Sequence, residues 1–260
     1  MYLSAERLAL ANQAVRETFE QTSIAWQAIP HWDTGDPGQT RVPLDDPTKA
    51  PPNFLDLQPP QTQDFQLTLV EVNAPTPDLM LAEVILQTVK LANKVDGIVL
   101  PALYTKNAAT NLPGVTLDKI LAALIGARAD IEDAGYRAPA CLFTNTPGLI
   151  AISPLVSGLP ELGPVLATAS INSVQRTTTI DSSVAAGKIL FLMLGRRQLI
   201  PHAGAPQASP GEEPVDLAVS VCPSLEVVGE AADNKIEVSV RITFALRIKD
   251  ATALFALVEP

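Results

Sequence analysis

Val215-Asp-Leu-Ala-Val-Ser-Val-Cys-Pro-Ser-Leu-Glu-Val-Val-Gly-Glu230, the turn Ala231-Ala-Asp-Asn234, and Lys235-Ile-Glu-Val-Ser-Val-Arg-Ile-Thr-Phe-Ala-Leu-Arg-Ile-Lys249 form the stretch whose reading decides the fold. In both arms apolar residues tend to alternate with polar ones, which sends them to opposite faces of a pleated strand. Asp233 and Asn234 supply the turn chemistry between them, so the stretch reads as one extended β-hairpin. Asp250-Ala-Thr-Ala-Leu-Phe-Ala-Leu-Val-Glu-Pro260 closes the sequence. A long two-stranded ribbon is an unusual ending for an enzyme of this size. Proteins that lock onto copies of themselves sometimes finish this way, so assembly is the first function to weigh.

The chain has 260 residues, 47% of them hydrophobic and only 18% charged. Such a composition must bury an extensive core or hide surface against neighbours. Its length suits one large domain or two small ones. The most apolar run, Ile189 to Leu194, is strand-sized and far short of a membrane span. Glu6, Arg7 and Asn12 interrupt any signal-peptide core, so a soluble protein made in the cytoplasm is expected. The formal net charge of −10 disfavours sequence-independent nucleic-acid binding, because an acidic surface gains nothing from counterion release. Arg196-Arg197 is the nearest thing to a basic patch. Cys141 and Cys222 both sit in apolar runs and read as two buried free thiols.

Upstream, residues 4–24 predict a helix capped by Ser4, with Leu8, Ala11, Val15 and Phe19 on one face. From Ile29 to Gln63 the prolines crowd together at 30, 37, 43, 47, 51, 52, 59 and 60. They fix φ and remove donors, which makes this an extended arm or long loop. Its apolar members Trp26, Trp32, Phe54, Leu55 and Leu57 would be sheltered if the arm lay along a neighbouring subunit. Asp64 to Val72 alternates as a strand. Thr76-Pro77-Asp78 then opens a helix with Leu81, Val84, Ile85, Thr88, Val89 and Ala92 as its stripe, stopped by Asp96-Gly97. A second helix starts at Thr116, carries Ile120, Leu124 and Ile131, and ends at Gly135. A strand at Ala140–Phe143, short turns over 146–169, strands at 171–180 and 188–194, and a mobile loop at 201–214 lead into the hairpin.

This order of elements resembles the Hong Kong 97 fold, shared by tailed-phage major capsid proteins and encapsulin shell proteins. The residues that best carry the likeness are Ile236 to Leu254, similar to the family's closing strands, and Leu192-Met-Leu-Gly195, similar to its penultimate strand and glycine. The resemblance implies an α+β capsid fold with an N-terminal arm, an extended loop, a peripheral domain (spine helix plus long β-hairpin) and an axial domain. The implied boundaries are 1–39 for helix and arm, 40–72 for the extended loop and 73–137 for the peripheral domain with its spine. Residues 138–225 would be the axial domain, and 226–260 the closing ribbon of the peripheral domain. Cargo-loading encapsulins carry a Gly-Arg-Arg or Gly-Arg-Lys motif after the first helix, where this chain has Ile29-Pro-His-Trp-Asp33. Their aspartate-rich segment before the spine is replaced by Val72-Asn-Ala-Pro-Thr-Pro-Asp78. The expectation is therefore a major capsid protein of a tailed phage or prophage, enclosing double-stranded DNA without gripping it. An encapsulin enclosing a cargo enzyme is the alternative, and a small α/β enzyme a remote one. No scaffold domain precedes Ser4, so a phage version would use a separate scaffold or none; portal or cement proteins are further partners the family implies. The location would be the virion, assembled in the bacterial cytoplasm, or the cytoplasm itself for an encapsulin.

Enzymatic signals are weak. His31 and His202 lie in proline-rich loops without metal-ligand spacing. Gly187-Lys188 lacks the first glycine and the Ser or Thr of a phosphate loop. No nucleophile elbow or dinucleotide fingerprint exists, and Glu71, Glu83 and Glu132 read as solvated surface. Neither catalytic residue, cofactor nor metal is expected. The expected subunit contacts are Phe19, Trp26, Trp32, Arg41, Phe54, Leu55 and Leu57. Some relatives crosslink a loop lysine to a neighbour's asparagine with help from a glutamate. The resemblance would give those roles to Lys49, Asn234 and Glu237, while a solvated Lys49 is the simpler reading.

Overall fold

A computed structural model describes residues 3–44, 53–106, 108–181, 187–197 and 213–260. Helix α1 (Ala5–Thr22) starts as expected, with the Ser4 side chain accepting from Arg7 N–H at 3.2 Å. Ala11, Val15 and Phe19 are its buried face. Ser23 ends it and caps the next helix, α2 (Ile24–Ala28), through Trp26 N–H. The proline-rich segment still makes three short strands, β1 (His31–Asp33), β2 (Arg41–Pro43) and β3 (Phe54–Asp56). Strand β4 covers Gln61–Thr68, so the strand expected as far as Val72 ends early. Its stop is a capping box: the Thr68 hydroxyl accepts from Glu71 N–H while the Glu71 carboxylate accepts from Thr68 N–H, opening α3 (Leu69–Asn73).

The spine is α4 (Asp78–Tyr104), which runs straight through the expected stop at Asp96-Gly97. Asp96 is no terminator. Its buried carboxylate accepts from Ser23 Oγ (2.7 Å), Ile24 N–H (2.9 Å) and Ala25 N–H (3.0 Å), crowning the N-terminus of α2. Thr76 does not cap the spine either; Pro77 holds that position with no side-chain bond. The buried stripe includes Met80, Val84, Leu91, Val95 and Val99, and it leaves Ile85 facing out.

Next come β5 (Thr110–Asn111), α5 (Leu117–Asp133), β6 (Arg137–Thr144), α6 (Thr146–Ile152), β7 (Leu155–Val156), β8 (Leu159–Pro160) and α7 (Leu162–Thr168). Gly135, at φ +91°, turns the chain after α5 as its sequence predicts. The remaining strands are β9 (Ile171–Arg176), β10 (Leu190–Arg196), β11 (Val215–Ala231), β12 (Lys235–Ile248) and β13 (Leu254–Val258). Most of the loop expected at 201–214 falls outside the described residues.

Two sheets organise these strands. The first has the order β1-β11-β12-β4, and the second β5-β13-β10-β6-β9. The long hairpin is as read: Ala231 pairs with Lys235, and Asp233 and Asn234 adopt the left-handed backbone that Asp and Asn tolerate. The closing segment 226–260 is not one ribbon, however, because β13 crosses over and pairs with β10 and β5 in the second sheet. Likewise α4 packs on the first sheet's core, whereas Ile120, Leu124 and Ile131 of α5 join the core of the second. Strand β10 explains the apolar run in the sequence. Leu190, Leu192 and Leu194 face the core of α4, and Phe191 and Met193 face that of α5, so both faces are covered. Each such side chain contributes about 1.5–3 kcal/mol by leaving water. Cys141 is buried as expected, but Cys222 is exposed. It lies within the register shift of β11 between Val221 and Ser224, where irregular pairing breaks the alternation.

Candidate assembly surfaces

The β2–β3 ribbon occupies the place of the expected extended loop, and one of its faces is fastened to its own chain. Val42 is buried against Ala218 of β11 and Ala245 of β12, with Trp32, Leu55 and Leu57 packed around it. Beside this apolar seat lies a buried charge cluster. Arg247 Nε and Nη2 donate to the two carboxylate oxygens of Asp216, each at 2.7 Å. Lys249 Nζ reaches the same carboxylate at 2.9 Å, and Trp32 Nε1 donates to it at 3.3 Å. The Arg247 guanidinium stands 4.8 Å from the centre of the Trp32 ring. Its remaining nitrogen, Nη1, donates to the Pro43 carbonyl at 2.8 Å, directly at the end of β2. Asp216 and Arg247 are fully buried, so each depends on the other for its charge to be tolerated.

The opposite face of the ribbon is open. Arg41 and Asp56 form an exposed ion pair at 2.6 Å, which contributes at most about 1 kcal/mol. Phe54 is 64% exposed, a large apolar side chain left open among the described residues. Of the other expected contact residues, Phe19 and Trp26 require correction. Phe19 is fully buried and meets Trp26 edge-on at 5.4 Å, and Trp26 stacks on His31 at 3.8 Å. Both belong to the chain's own core, because the α1–α2 corner folds inward onto the spine rather than continuing as an arm. Trp32, Leu55 and Leu57 are half-buried on their own sheet. Lys49 lies outside the described residues. Asn234 sits in the hairpin turn, its carbonyl accepting from Leu69 N–H at 3.0 Å, and Glu237 of β12 pairs with Gln66 of β4.

The sequence reading missed other open apolar surface. The β7–β8 ribbon exposes Leu155 and Leu159, next to Ile150 on α6. Its tip, Ser157-Gly158, has φ of 52° and 80°, and this Ser-Gly pair between apolar residues is the signal that could have identified a hairpin. Leu79 and Leu86 are exposed on the spine, seven residues apart and hence on one helical face. A cleft of about 420 Å³ between α1 and β11 is lined by Arg16, Glu20, Trp26, His31, Trp32 and Cys222, among others. Burial holds the His31 imidazole below its ordinary pKa, favouring the neutral form. Among the described residues no group of three or more metal-ligating side chains gathers, and no helix is long and apolar enough to cross a membrane.

A spine helix laid on a sheet with a long closing hairpin, an anchored ribbon in the loop position and a second, mixed sheet together define the Hong Kong 97 fold of shell proteins. Phage capsids and an encapsulin shell are among the solved structures that share it. The structure of the virus-like particle from Pyrococcus furiosus is similar with a TM-score of 0.68 at 15% identity, covering 97% of this chain and 98% of that one. A phage-related protein from Bordetella bronchiseptica RB50 gives 0.63 at 12% identity, with 96% of both chains covered. The capsid of Myoviridae phage XM1 gives 0.56 at 10% identity and 92% coverage of both. No protein-family model matches the chain, and no curated protein matches it in sequence.

Proposed function

We propose that this chain is a shell subunit, the major capsid protein of a tailed phage or prophage, whose copies close into an icosahedral particle around double-stranded DNA. The observation that carries the reading is a Hong Kong 97 fold that, among the described residues, leaves separate apolar surfaces exposed, at Phe54, at Leu155 and Leu159, and at Leu79 and Leu86. Different surfaces on one subunit favour heterologous contacts, and heterologous contacts close into rings when the rotation permits. Each contact can be weak, since many act together in a closed particle. The net charge of −10 suits a wall that encloses nucleic acid without binding it. A separate scaffold, portal or cement protein would complete such a particle.

Negative-stain microscopy of the purified protein tests the shell, and nuclease digestion followed by extraction tests its contents. Closed particles holding protected double-stranded DNA support the capsid. Closed particles that instead co-purify with an enzyme support the second reading, an encapsulin, whose fold this chain shares. A monodisperse species of a few subunits in light scattering would refute both.

A further inference from the structure

We propose that Arg247 is a positioning residue for assembly: it fixes the seat of the β2–β3 ribbon, and through it the geometry of the contact made by the ribbon's open face. The inference rests on the shell reading and goes further by naming the side chain that sets the contact. Its starting point is the poverty of the apolar seat. Val42 rests on two alanines, Ala218 and Ala245, with half-buried Trp32, Leu55 and Leu57 around them, and apolar contacts of this kind are non-directional. Direction has to come from elsewhere.

Arg247 supplies it. The guanidinium is a rigid fork, and Asp216 holds two of its nitrogens, which fixes the plane in which the third, Nη1, meets the Pro43 carbonyl. Trp32 on β1 clamps the arrangement from above, giving its N–H to Asp216 while its ring faces the guanidinium. The ribbon thus has a directional bond at one end. Gln58 N–H, which donates to Phe244 O of β12 at 2.8 Å, provides another just beyond β3. A well-packed apolar cluster would often stabilise a fold as well as a buried ion cluster does. What the ions add here is a single orientation. Phe54, Arg41 and Asp56 stand on the open face of the same ribbon, so their position relative to the body follows from the fork.

Arg247→Lys tests this, because lysine keeps the charge and can still reach Asp216 but cannot hold the carboxylate and the Pro43 carbonyl as one planar unit. Two readouts are needed. Hydrogen exchange should accelerate at least tenfold at Gln58 N–H, whose bond to Phe244 O joins the ribbon to β12, while the β4–β12 ladder keeps its protection. Particles should lose their uniform diameter or fail to close. If Arg247→Lys does not fold, Trp32→Phe decides by the same readouts, since it keeps an aromatic ring while deleting the N–H to Asp216 and part of the face that meets the guanidinium. Unchanged exchange overturns the proposal. Faster exchange with particles of wild-type diameter also overturns it, because Arg247 then only stabilises the subunit. Failure of the wild-type chain itself to form particles refutes the shell reading, an outcome seen before any variant is made.

Discussion

Replacing Asp96 by alanine should be among the most damaging single changes in the N-terminal half, because Asp96 is a buried cap. Its carboxylate is 2% exposed and accepts three hydrogen bonds, from Ser23 Oγ and from the N–H groups of Ile24 and Ala25. Truncation leaves a buried hydroxyl and two helix-start amides without an acceptor. Each buried orphan costs about 1–3 kcal/mol. Ile24 is only half-buried and can recruit water, so the expected loss is about 3–5 kcal/mol. With a urea m-value of about 3 kcal/mol/M for a chain of this size, the midpoint should fall by roughly 1–1.7 M. Tryptophan fluorescence is a suitable probe, because Trp26 lies in the helix that Asp96 caps. Wild type and variant must be compared at equal protein concentration, since assembly would stabilise by mass action. Asp96→Asn keeps one acceptor and should cost about 2 kcal/mol less than the alanine. There is also a pH signature. Burial, outweighing the three hydrogen bonds, raises the Asp96 carboxyl above its ordinary 3.8. The folded chain therefore binds this proton more tightly than the unfolded chain does. This group's contribution is greatest below 3.8 and is lost as pH rises through the raised value. Asparagine does not titrate, so the gap between wild type and Asp96→Asn should narrow from acid to neutral pH. An alanine variant within about 0.5 kcal/mol of wild type would refute the reasoning.

Phe54→Ser should leave the subunit's unfolding midpoint unchanged within about 0.5 kcal/mol while shifting size-exclusion profiles from particle to free subunit. Gly148→Ala should lower the melting temperature, since its new Cβ would overlap Thr144 Oγ1 and press on the Leu190 carbonyl at 3.0 Å, for a cost of about 1–3 kcal/mol. In unassembled, folded chain a maleimide should label Cys222 and spare Cys141 until urea unfolds the protein. Desolvation holds the Cys222 thiol above its ordinary pKa, so the labelling rate should climb as pH rises above neutral, and mass spectrometry of the labelled peptides reads the result.

What could be read without coordinates follows a physical divide. Ser4, Gly135 and the Asp233-Asn234 turn act on neighbours a few residues away, so local chemistry sufficed to find them. The Thr68–Glu71 capping box is equally local; its T-x-x-E spacing was present and was outweighed by the alternation running on to Val72. Asp96 was beyond reach for a different reason. An aspartate before a glycine is a stop signal in isolation, and only Ser23, seventy-three positions away, turns it into a buried cap. Trp26 escapes the sequence on similar grounds: proline density marks an extended path but not what lies beside it, and Trp26 meets His31 and Phe19 within its own chain. The Arg247 cluster joins β11, β12, β1 and the ribbon, and no spacing rule links such distant pieces.

The crossing of β13 into the second sheet has a consequence for the order of events on the ribosome. It lies between β5 and β10, while β12 lies between β11 and β4, so both sheets take an interior strand from residues 235–258. Neither sheet can complete its pairing until those residues emerge, and contacts of such long sequence separation form slowly. A nascent chain therefore holds both sheets unfinished until then. For the shell subunit proposed above, the ribbon's seat on β11 and β12 would be among the last parts to form, after the helices of the N-terminal half.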